Sequence, residues 1–269
     1  MESTKNFALI TGASSGIGLE LAKLFAENGH NLIIVARDEE KLASAESLLK
    51  QDGVEVLSIS KDLFQPDAAS TLYDEIKQKG YQVDVLVNDA GQGVYGKFIE
   101  NDLERELNIV QLNVLSLVAL TKYYAQDMVA RGGGKILNVA SIAGKAPGPY
   151  QAVYHGTKAF VHSFSESIRR ELKDTGVTVT SLLPGPTDTD FFNKADMLES
   201  KIVQDGDLDD AAKVAKDGYE ALLAGQDMVV SGFKNKMTVA MGNITPDSMQ
   251  AAQMEKMQEP SGDSTHHDN

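Results

Sequence analysis

Short apolar runs rich in Val and Ile alternate along the chain with longer segments whose apolar residues recur at helical spacing. The runs predict strands at residues 7–11, 31–36, 54–59, 83–88, 135–140, 177–183 and 228–231. The segments between them predict helices at residues 16–28, 39–51, 67–79, 103–130, 151–175 and 208–224. Right-handed crossovers wind such a series into a parallel sheet covered on both faces. The pattern therefore predicts one α/β domain with a doubly wound, seven-stranded parallel sheet.

Polar residues predict where these elements end and where the domain stops. Asp207 is expected to cap the last helix, with Asp210 in its acidic first turn. No repeat or linker interrupts residues 5–232, and we interpret the polar, less periodic segment 186–206 as a mobile flap. The polar end, residues 259–269, is expected to be disordered.

A Met-rich extension is predicted over residues 233–258. Residues 232–257 contain five of the nine methionines. Met side chains adapt their shape, so this stretch could pack on the core or on a neighbouring subunit, or it could form an adaptable wall of a substrate pocket. The packing interpretation is favoured because apolar residues at helical spacing usually belong to a core.

Composition and charge exclude several classes of site and partner. The 269 residues, 42% of them apolar, are enough to bury one core without disulfides. The absence of Cys excludes a thiol nucleophile and a Cys-based metal site, and the five His are scattered, so no metal is predicted. The formal charge of -14 disfavours nucleic acid and anionic lipid as partners. No apolar run is long enough for a signal peptide or a membrane span, which predicts a cytoplasmic location.

A glycine-rich segment, TGASSGIG at residues 11–18, joins the first strand to the first helix. Glycines permit the sharp turn and a close approach to a ligand, and the N–H groups at the start of the helix attract an anion. Ser14 and Ser15 can add hydroxyl donors. The segment could be only a strand-to-helix turn, but its place in a βαβ unit favours binding of a dinucleotide pyrophosphate.

The end of the second predicted strand indicates which dinucleotide is bound. A carboxylate is expected there for NAD, to bind the ribose hydroxyl. This chain has Ala36, followed by Arg37 and Asp38. The Arg37 guanidinium suits a 2′-phosphate, so NADP(H) is preferred. NAD(H) stays possible, because Asp38 could turn toward the ribose instead of capping the next helix.

Three residues form a candidate proton-transfer group. Tyr154 and Lys158 are four residues apart on a predicted helix and so share one face, and Ser141 follows the fifth strand. A nearby ammonium is expected to lower the pKa of the Tyr154 phenol, and Ser141 can hold a substrate oxygen beside it. His155 points to another side of the helix and is interpreted as structural, and His162 is too distant to reach the same oxygen.

Together these motifs resemble the short-chain dehydrogenase/reductase family, in its short branch with TGxxxGxG and YxxxK motifs. The resemblance covers about residues 5–232. Its other parts are Asp62-Leu63, the NDAG sequence at residues 88–91, Asn113, Ser141, and Pro184-Gly185 with Thr187 and Thr189. It implies a single Rossmann domain over residues 1–232 that contains the catalytic site.

The resemblance also implies residue roles. The expected catalytic tetrad is Asn113, Ser141, Tyr154 and Lys158, with Ser141 also binding substrate and Asn113 placing a water that relays protons from Lys158. The cofactor-binding residues are expected to be Gly12, Ser14, Ser15, Gly16, Ile17, Gly18, Arg37, Asp62, Leu63, Asn88, Ala90, Gly91, Tyr154, Lys158, Pro184, Gly185, Thr187 and Thr189. The implied activity is NADPH-dependent interconversion of a ketone or aldehyde with an alcohol. Pairing of the two long helices implies a homodimer or homotetramer.

Two positions depart from the family pattern, and one other function stays open. Asp89 stands where an Asn is usual and loses the amide donors that would brace neighbouring strands, and Ser15 is neutral where NADP-linked members often carry a basic residue. Arg37, with help from Lys41, would then recognise the 2′-phosphate. The alternative is a non-catalytic NADP(H)-binding sensor or scaffold. Tyr150, Phe191 and Phe192 suggest a partly apolar substrate pocket or simple packing.

Overall fold

A seven-stranded parallel sheet forms the centre of the molecule, in a computed structural model that describes residues 6–261. Its strand order is β3-β2-β1-β4-β5-β6-β7. The strands are β1 (Asn6–Thr11), β2 (Asn31–Ala36), β3 (Val56–Ser60), β4 (Gln82–Asn88), β5 (Gly134–Val139), β6 (Val177–Leu183) and β7 (Met228–Val230). The predicted doubly wound Rossmann fold is confirmed, because buried Val, Ile and Leu runs make strands that need cover on both faces.

Helices cover both faces of the sheet. They are α1 (Gly16–Glu27), α2 (Glu39–Leu49), α3 (Ala68–Gln78), α4 (Leu103–Val110), α5 (Leu117–Arg131), α6 (Ala152–Glu171), α7 (Phe191–Lys194), α8 (Lys201–Gln204), α9 (Ala211–Leu223), α10 (Phe233–Gly242) and α11 (Asp247–Gln258). One core cluster joins the sheet to α1, α2 and α9, and a second joins it to α3 and α5. No helix within residues 6–261 is long and apolar enough to cross a membrane.

The predicted helix at residues 103–130 is interrupted. Between α4 and α5, residues Gln111–Ser116 form a π-helical turn, which contains Asn113. A π-turn inserts an extra residue into the helix and turns the side chains that follow it. The Asn113 amide thereby bonds to the loop after β4: its Nδ2 donates to the Gln92 carbonyl at 2.9 Å, and its Oδ1 accepts from the Gln92 N–H at 3.0 Å.

The cap of α9 differs from the sequence expectation. Its N-cap is Asp210, whose carboxylate accepts from the Ala212 N–H at 2.7 Å, so the predicted cap at Asp207 is wrong. The segment before the helix is held extended, because the N–H of Asp209 donates to Pro186 and the N–H of Asp188 donates to Asp209. These backbone bonds delay the start of the helix until residue 211.

We expect Asp210→Ala to lower the free energy of unfolding by about 1 kcal/mol, since one N–H of the first turn loses its acceptor. Urea denaturation measures the change. The matched control is Asp207→Ala, which removes a carboxylate of the same type and should change stability by less than about 0.5 kcal/mol. Equal losses in the two variants would contradict the assigned cap.

The flap and the Met-rich extension pack against each other at the carboxyl ends of the strands. The predicted flap contains α7 and α8, and the extension forms α10 and α11. Residues 259–261 were expected to be disordered, but the N–H of Lys201 donates to Glu259 and the N–H of Ser261 donates to Glu199. These bonds tie the chain to the flap, and residues 262–269 lie outside the described part.

Candidate active site

A cavity of about 1010 Å³ lies at the carboxyl ends of the strands, where the strand order reverses between β1 and β4. Ligands of doubly wound sheets bind in this crevice, because the loops on its two sides diverge there. The predicted site residues line the cavity, with three exceptions: Gly18, Asn88 and Asn113. The structure therefore brings together the glycine segment, Arg37, Ser141, Tyr154, Lys158 and the loop that follows β6.

The glycine-rich segment is shaped to approach a ligand with its backbone. Gly12 and Gly16 have φ angles of +77° and +57°, which residues with a side chain rarely adopt. A Cβ added to Gly18 would lie 2.6 Å from the Gly12 carbonyl oxygen, so Gly18 serves close packing inside the turn. Ser15 is the N-cap residue of α1, and its side chain makes no capping hydrogen bond. This cradle at a helix N-terminus fits a dinucleotide pyrophosphate.

The end of β2 presents Arg37 to the cavity. The exposed Arg37 guanidinium lies over the Phe64 ring, 5.0 Å from its centroid. Asp38 caps α2, accepting from the Lys41 N–H at 3.0 Å, so its carboxylate does not turn toward a ribose. The Lys41 ammonium pairs with Asp190 at 3.4 Å. These positions fit a 2′-phosphate bound at Arg37. Lys41 can bind the same phosphate only if its ammonium breaks the ion pair with Asp190.

Asn88 does not face the cavity. Its buried amide donates to Thr121 Oγ1 at 3.0 Å and to Asn138 Oδ1 at 2.9 Å. A buried polar side chain on an interior strand must find its hydrogen-bond partners inside the protein. These two bonds join β4 to β5 and to α5. The side chain therefore braces the sheet rather than lining the cavity, and the expected place of residue 88 near the adenosine stays a prediction. Asp62 stays at the cavity and accepts from the Phe64 N–H at 3.3 Å.

Tyr154, Ser141 and Lys158 meet at one end of the cavity. Burial raises the pKa of the Tyr154 phenol to about 12, and a hydrogen bond with Ser141 acts in the opposite direction. Lys158 Nζ lies 5.8 Å from the centroid of the Tyr154 ring. The negative charge of Asp89 raises the pKa of Tyr154 further. That Lys158 lowers this pKa during the reaction stays a prediction. At neutral pH the phenol is protonated.

The Lys158 ammonium is held at the wall of the cavity. Its Nζ donates to the Val139 carbonyl at 2.8 Å. The same Nζ and Asn113 Oδ1 would each lie 3.3 Å from a Cβ added to Gly91, so both side chains approach the same point. A side chain at residue 91 would crowd both groups. The structure thus places Asn113 beside Lys158, behind the wall of the cavity rather than on its surface.

Asp89 bonds to the glycine segment and interacts electrostatically with Lys158. Its carboxylate accepts a hydrogen bond from the Gly18 N–H, and its negative charge attracts the Lys158 ammonium. Burial raises the pKa of Asp89 and lowers that of Lys158, and the attraction between the two charges partly opposes both shifts. The carboxylate therefore ties the end of β4 to the phosphate loop, while the expected loss of amide donors toward neighbouring strands stays a prediction.

Several cavity residues were not predicted from the sequence. His155 was interpreted as structural, yet it lines the cavity, as do Gln151, Met254, Met257 and Gln258. The Met-rich extension therefore forms part of the wall, which supports the pocket interpretation over simple packing. Phe191 and Phe192 also line the cavity, whereas Tyr150 stacks on Tyr95 with ring centroids 5.7 Å apart.

His162 takes no part in the cavity. Its Nε2 accepts from the Lys145 ammonium at 2.5 Å, and its Nδ1 lies 3.4 Å from the Ser181 hydroxyl. Burial lowers the pKa of His162, and the positive charge of Lys145 lowers it further. A neutral ring bonded to Lys145 agrees with the expectation that His162 does not reach the substrate.

A model of the short chain dehydrogenase family matches residues 6–199. Among curated proteins, an uncharacterized oxidoreductase from Staphylococcus saprophyticus is 31% identical over 213 residues, which are 79% of this chain and 91% of that protein.

Solved structures share the whole fold. A short-chain dehydrogenase from Sphingobium yanoikuyae in complex with NADPH has 26% identity and a TM-score of 0.79, covering 92% of this chain and 99% of that one. A bulky-bulky ketone specific alcohol dehydrogenase from Comamonas testosteroni has 27% identity and a TM-score of 0.75, covering 90% and 94%.

Proposed function

Because the chain belongs to the short-chain dehydrogenase family, we propose that it is an NADPH-dependent oxidoreductase that reduces a ketone or aldehyde to an alcohol. The observation that carries the proposal is the buried Tyr154 phenol, which bonds to Ser141 and lies near Lys158 at the wall of the cavity. A phenol in this position can donate a proton to a carbonyl oxygen. The ketone specificity of the similar Comamonas enzyme supports the same chemistry.

The four residues of the tetrad have separate roles in this mechanism. Ser141 holds the substrate oxygen, and Tyr154 donates a proton to that oxygen as it gains negative charge. Lys158 and Asn113 lie behind Tyr154, where the ammonium stabilises the phenolate that remains. A bound nicotinamide supplies the hydride for the carbonyl carbon. In the reverse direction Tyr154 must lose its proton first, so alcohol oxidation should increase with pH.

Turnover with a panel of ketones and aldehydes tests the proposal. NADPH absorbance should fall when a carbonyl compound is added, and the decrease should depend on the enzyme concentration. A protein stabilised against heat by NADPH that reduces none of the panel would favour the alternative, a non-catalytic NADP(H) sensor or scaffold. The presence of all four tetrad residues favours the enzyme, because a binding protein needs no proton donor.

The preference for NADP(H) over NAD(H) rests on Arg37. Its guanidinium has the shape and charge to bind a 2′-phosphate, and Asp38 is engaged as a helix cap. The NADPH bound to the similar Sphingobium structure supports this choice.

We expect Arg37→Ala to raise KM for NADPH about tenfold, since a charge-assisted phosphate contact contributes about 1.5 kcal/mol at an exposed site. KM for NADH should stay within about twofold, because NADH has no group for Arg37 to bind. Steady-state kinetics with each cofactor measures both values. Lys41→Ala is the matched control and should change KM for NADPH less. A similar loss for NADH and NADPH would contradict 2′-phosphate recognition by Arg37.

We further propose that the enzyme is a homodimer or homotetramer. Helices α4 and α6 carry apolar side chains exposed to solvent, including Leu103, Leu107 and Phe160. Exposed apolar patches of this kind often mark protein interfaces. The cytoplasmic location expected from the sequence stays a prediction.

A further inference from the structure

We propose that Gln151 and Gln258 form a hydroxyl-binding subsite beside Tyr154, so that the preferred substrate is a hydroxy ketone. The inference rests on the proposed reductase function and names the class of its substrate. Both side chains line the cavity, and each has a buried amide atom with no hydrogen-bond partner among the described residues. Such atoms are costly in a folded protein unless a ligand pairs with them.

Gln151 supplies a hydrogen-bond donor close to the reacting group. The residue is only 4% exposed, and its Nε2 has no acceptor within the described part of the chain. A Cβ added to Gly93 would lie 3.1 Å from this Nε2 and 3.3 Å from Tyr154 Cδ2. The amide and the edge of the Tyr154 ring therefore border the same point beside Gly93. A substrate with its carbonyl at Tyr154 would bring a neighbouring carbon to Gln151.

Gln258 supplies the matching acceptor, and its orientation is determined by His155. The His155 Nδ1–H donates to the Ala146 carbonyl at 2.8 Å, so in a neutral ring Nε2 is an acceptor. Burial lowers the pKa of His155 and keeps the ring neutral. Gln258 Nε2 lies 3.1 Å from His155 Nε2 and donates to it. This leaves Gln258 Oε1 buried and unpaired.

The chain end that carries Gln258 is held in place from two sides. The Gln258 backbone carbonyl accepts from the Tyr95 hydroxyl at 2.5 Å, and Lys201 pairs with Glu259 at 2.5 Å. The side chain is 3% exposed. The free oxygen is therefore positioned by the fold before any ligand binds.

One free donor and one free acceptor match a hydroxyl group, which accepts one hydrogen bond and donates another. A carboxylate or a second ketone could pair only with Gln151, and an ammonium only with Gln258. Since Gln151 lies beside Tyr154, the hydroxyl belongs on a carbon near the carbonyl. A site built to bond a hydroxyl discriminates strongly against the analogue that lacks it, because its polar atoms are then left unpaired.

Two pairs of ketones test the inference: benzoin against deoxybenzoin, and hydroxyacetone against acetone. Each pair differs only by the hydroxyl next to the carbonyl. In at least one pair we expect kcat/KM with NADPH to favour the hydroxy ketone by about tenfold or more. Gln151→Met should reduce that preference to about twofold or less, while kcat/KM for the ketone without the hydroxyl changes little. Gln253→Met, on the cavity wall but exposed, is the matched control and should keep the preference.

A binding measurement with the unmodified enzyme covers the case in which a variant folds poorly. In the presence of NADP⁺, hydrobenzoin should raise Tm more than its monohydroxy analogue does. Equal turnover of the paired ketones together with equal Tm shifts overturns the subsite and leaves the reductase function intact. A preference that survives Gln151→Met also overturns it. If no ketone or aldehyde of the wider panel is reduced, the proposed function itself fails, and the subsite with it.

Discussion

Replacing Tyr154 with Phe is expected to reduce kcat for carbonyl reduction about a thousandfold, the range that a single general acid contributes. The phenol is the proposed proton donor at the cavity wall, and burial raises its pKa to about 12, so it should be protonated at neutral pH. Phe preserves the ring and its packing on Phe191, at 5.0 Å between centroids. NADPH affinity should therefore stay within about twofold, because only one hydroxyl is removed.

Stopped-flow absorbance and fluorescence titration with NADPH separate these two effects. Tyr150→Phe is the matched control, since Tyr150 stacks on Tyr95 outside the cavity and should lose little activity. For the unmodified enzyme, reduction should fall at high pH as Tyr154 loses its proton, and oxidation should rise over the same range. Turnover by Tyr154→Phe at the normal rate, with NADPH bound, would exclude this mechanism.

Lys158→Met is expected to abolish most activity and to lower the free energy of unfolding by about 2 kcal/mol at pH 8, because it leaves Asp89 facing the cavity without its cation. Burial already raises the pKa of Asp89, and loss of the ammonium raises it further. A raised carboxyl pKa destabilises the folded state at pH values above it, and the penalty disappears as the pH falls and the group takes a proton. The stability loss should therefore be smaller at pH 5 than at pH 8.

The double variant Lys158→Met with Asp89→Asn separates stability from catalysis. A neutral amide at residue 89 needs no cation, so the double variant should recover most of the lost stability, and the difference between pH 5 and pH 8 should disappear. Activity should not return, because the ammonium behind Tyr154 is still missing. Thermal unfolding at both pH values and NADPH turnover measure the two quantities. If Asp89→Asn brings no recovery in the Lys158→Met background, Asp89 and Lys158 are not coupled.

The long-range contacts of the site could not be inferred from residue spacing. Asn88 was expected near the adenosine but bonds to Thr121 and Asn138, because a polar group on an interior strand must find partners inside the protein. The π-turn at Asn113 depends on the loop carrying Gln92, which lies 21 residues earlier. Gln258 reaches His155 from 103 residues away. Each contact depends on which segments become neighbours after folding.

The sequence by itself determined the sheet, the order of its elements and the motifs that meet at the cavity. Val and Ile runs, glycine positions and the spacing of Tyr154 and Lys158 act over a few residues, and such local patterns can be seen along the chain. Only the tertiary structure decided the burial of Tyr154, the attraction between the charges of Asp89 and Lys158 and the place of Gln258 in the wall. The physical reason is that desolvation and charge pairing depend on what surrounds a group in space, and neighbours in space come from distant parts of the chain.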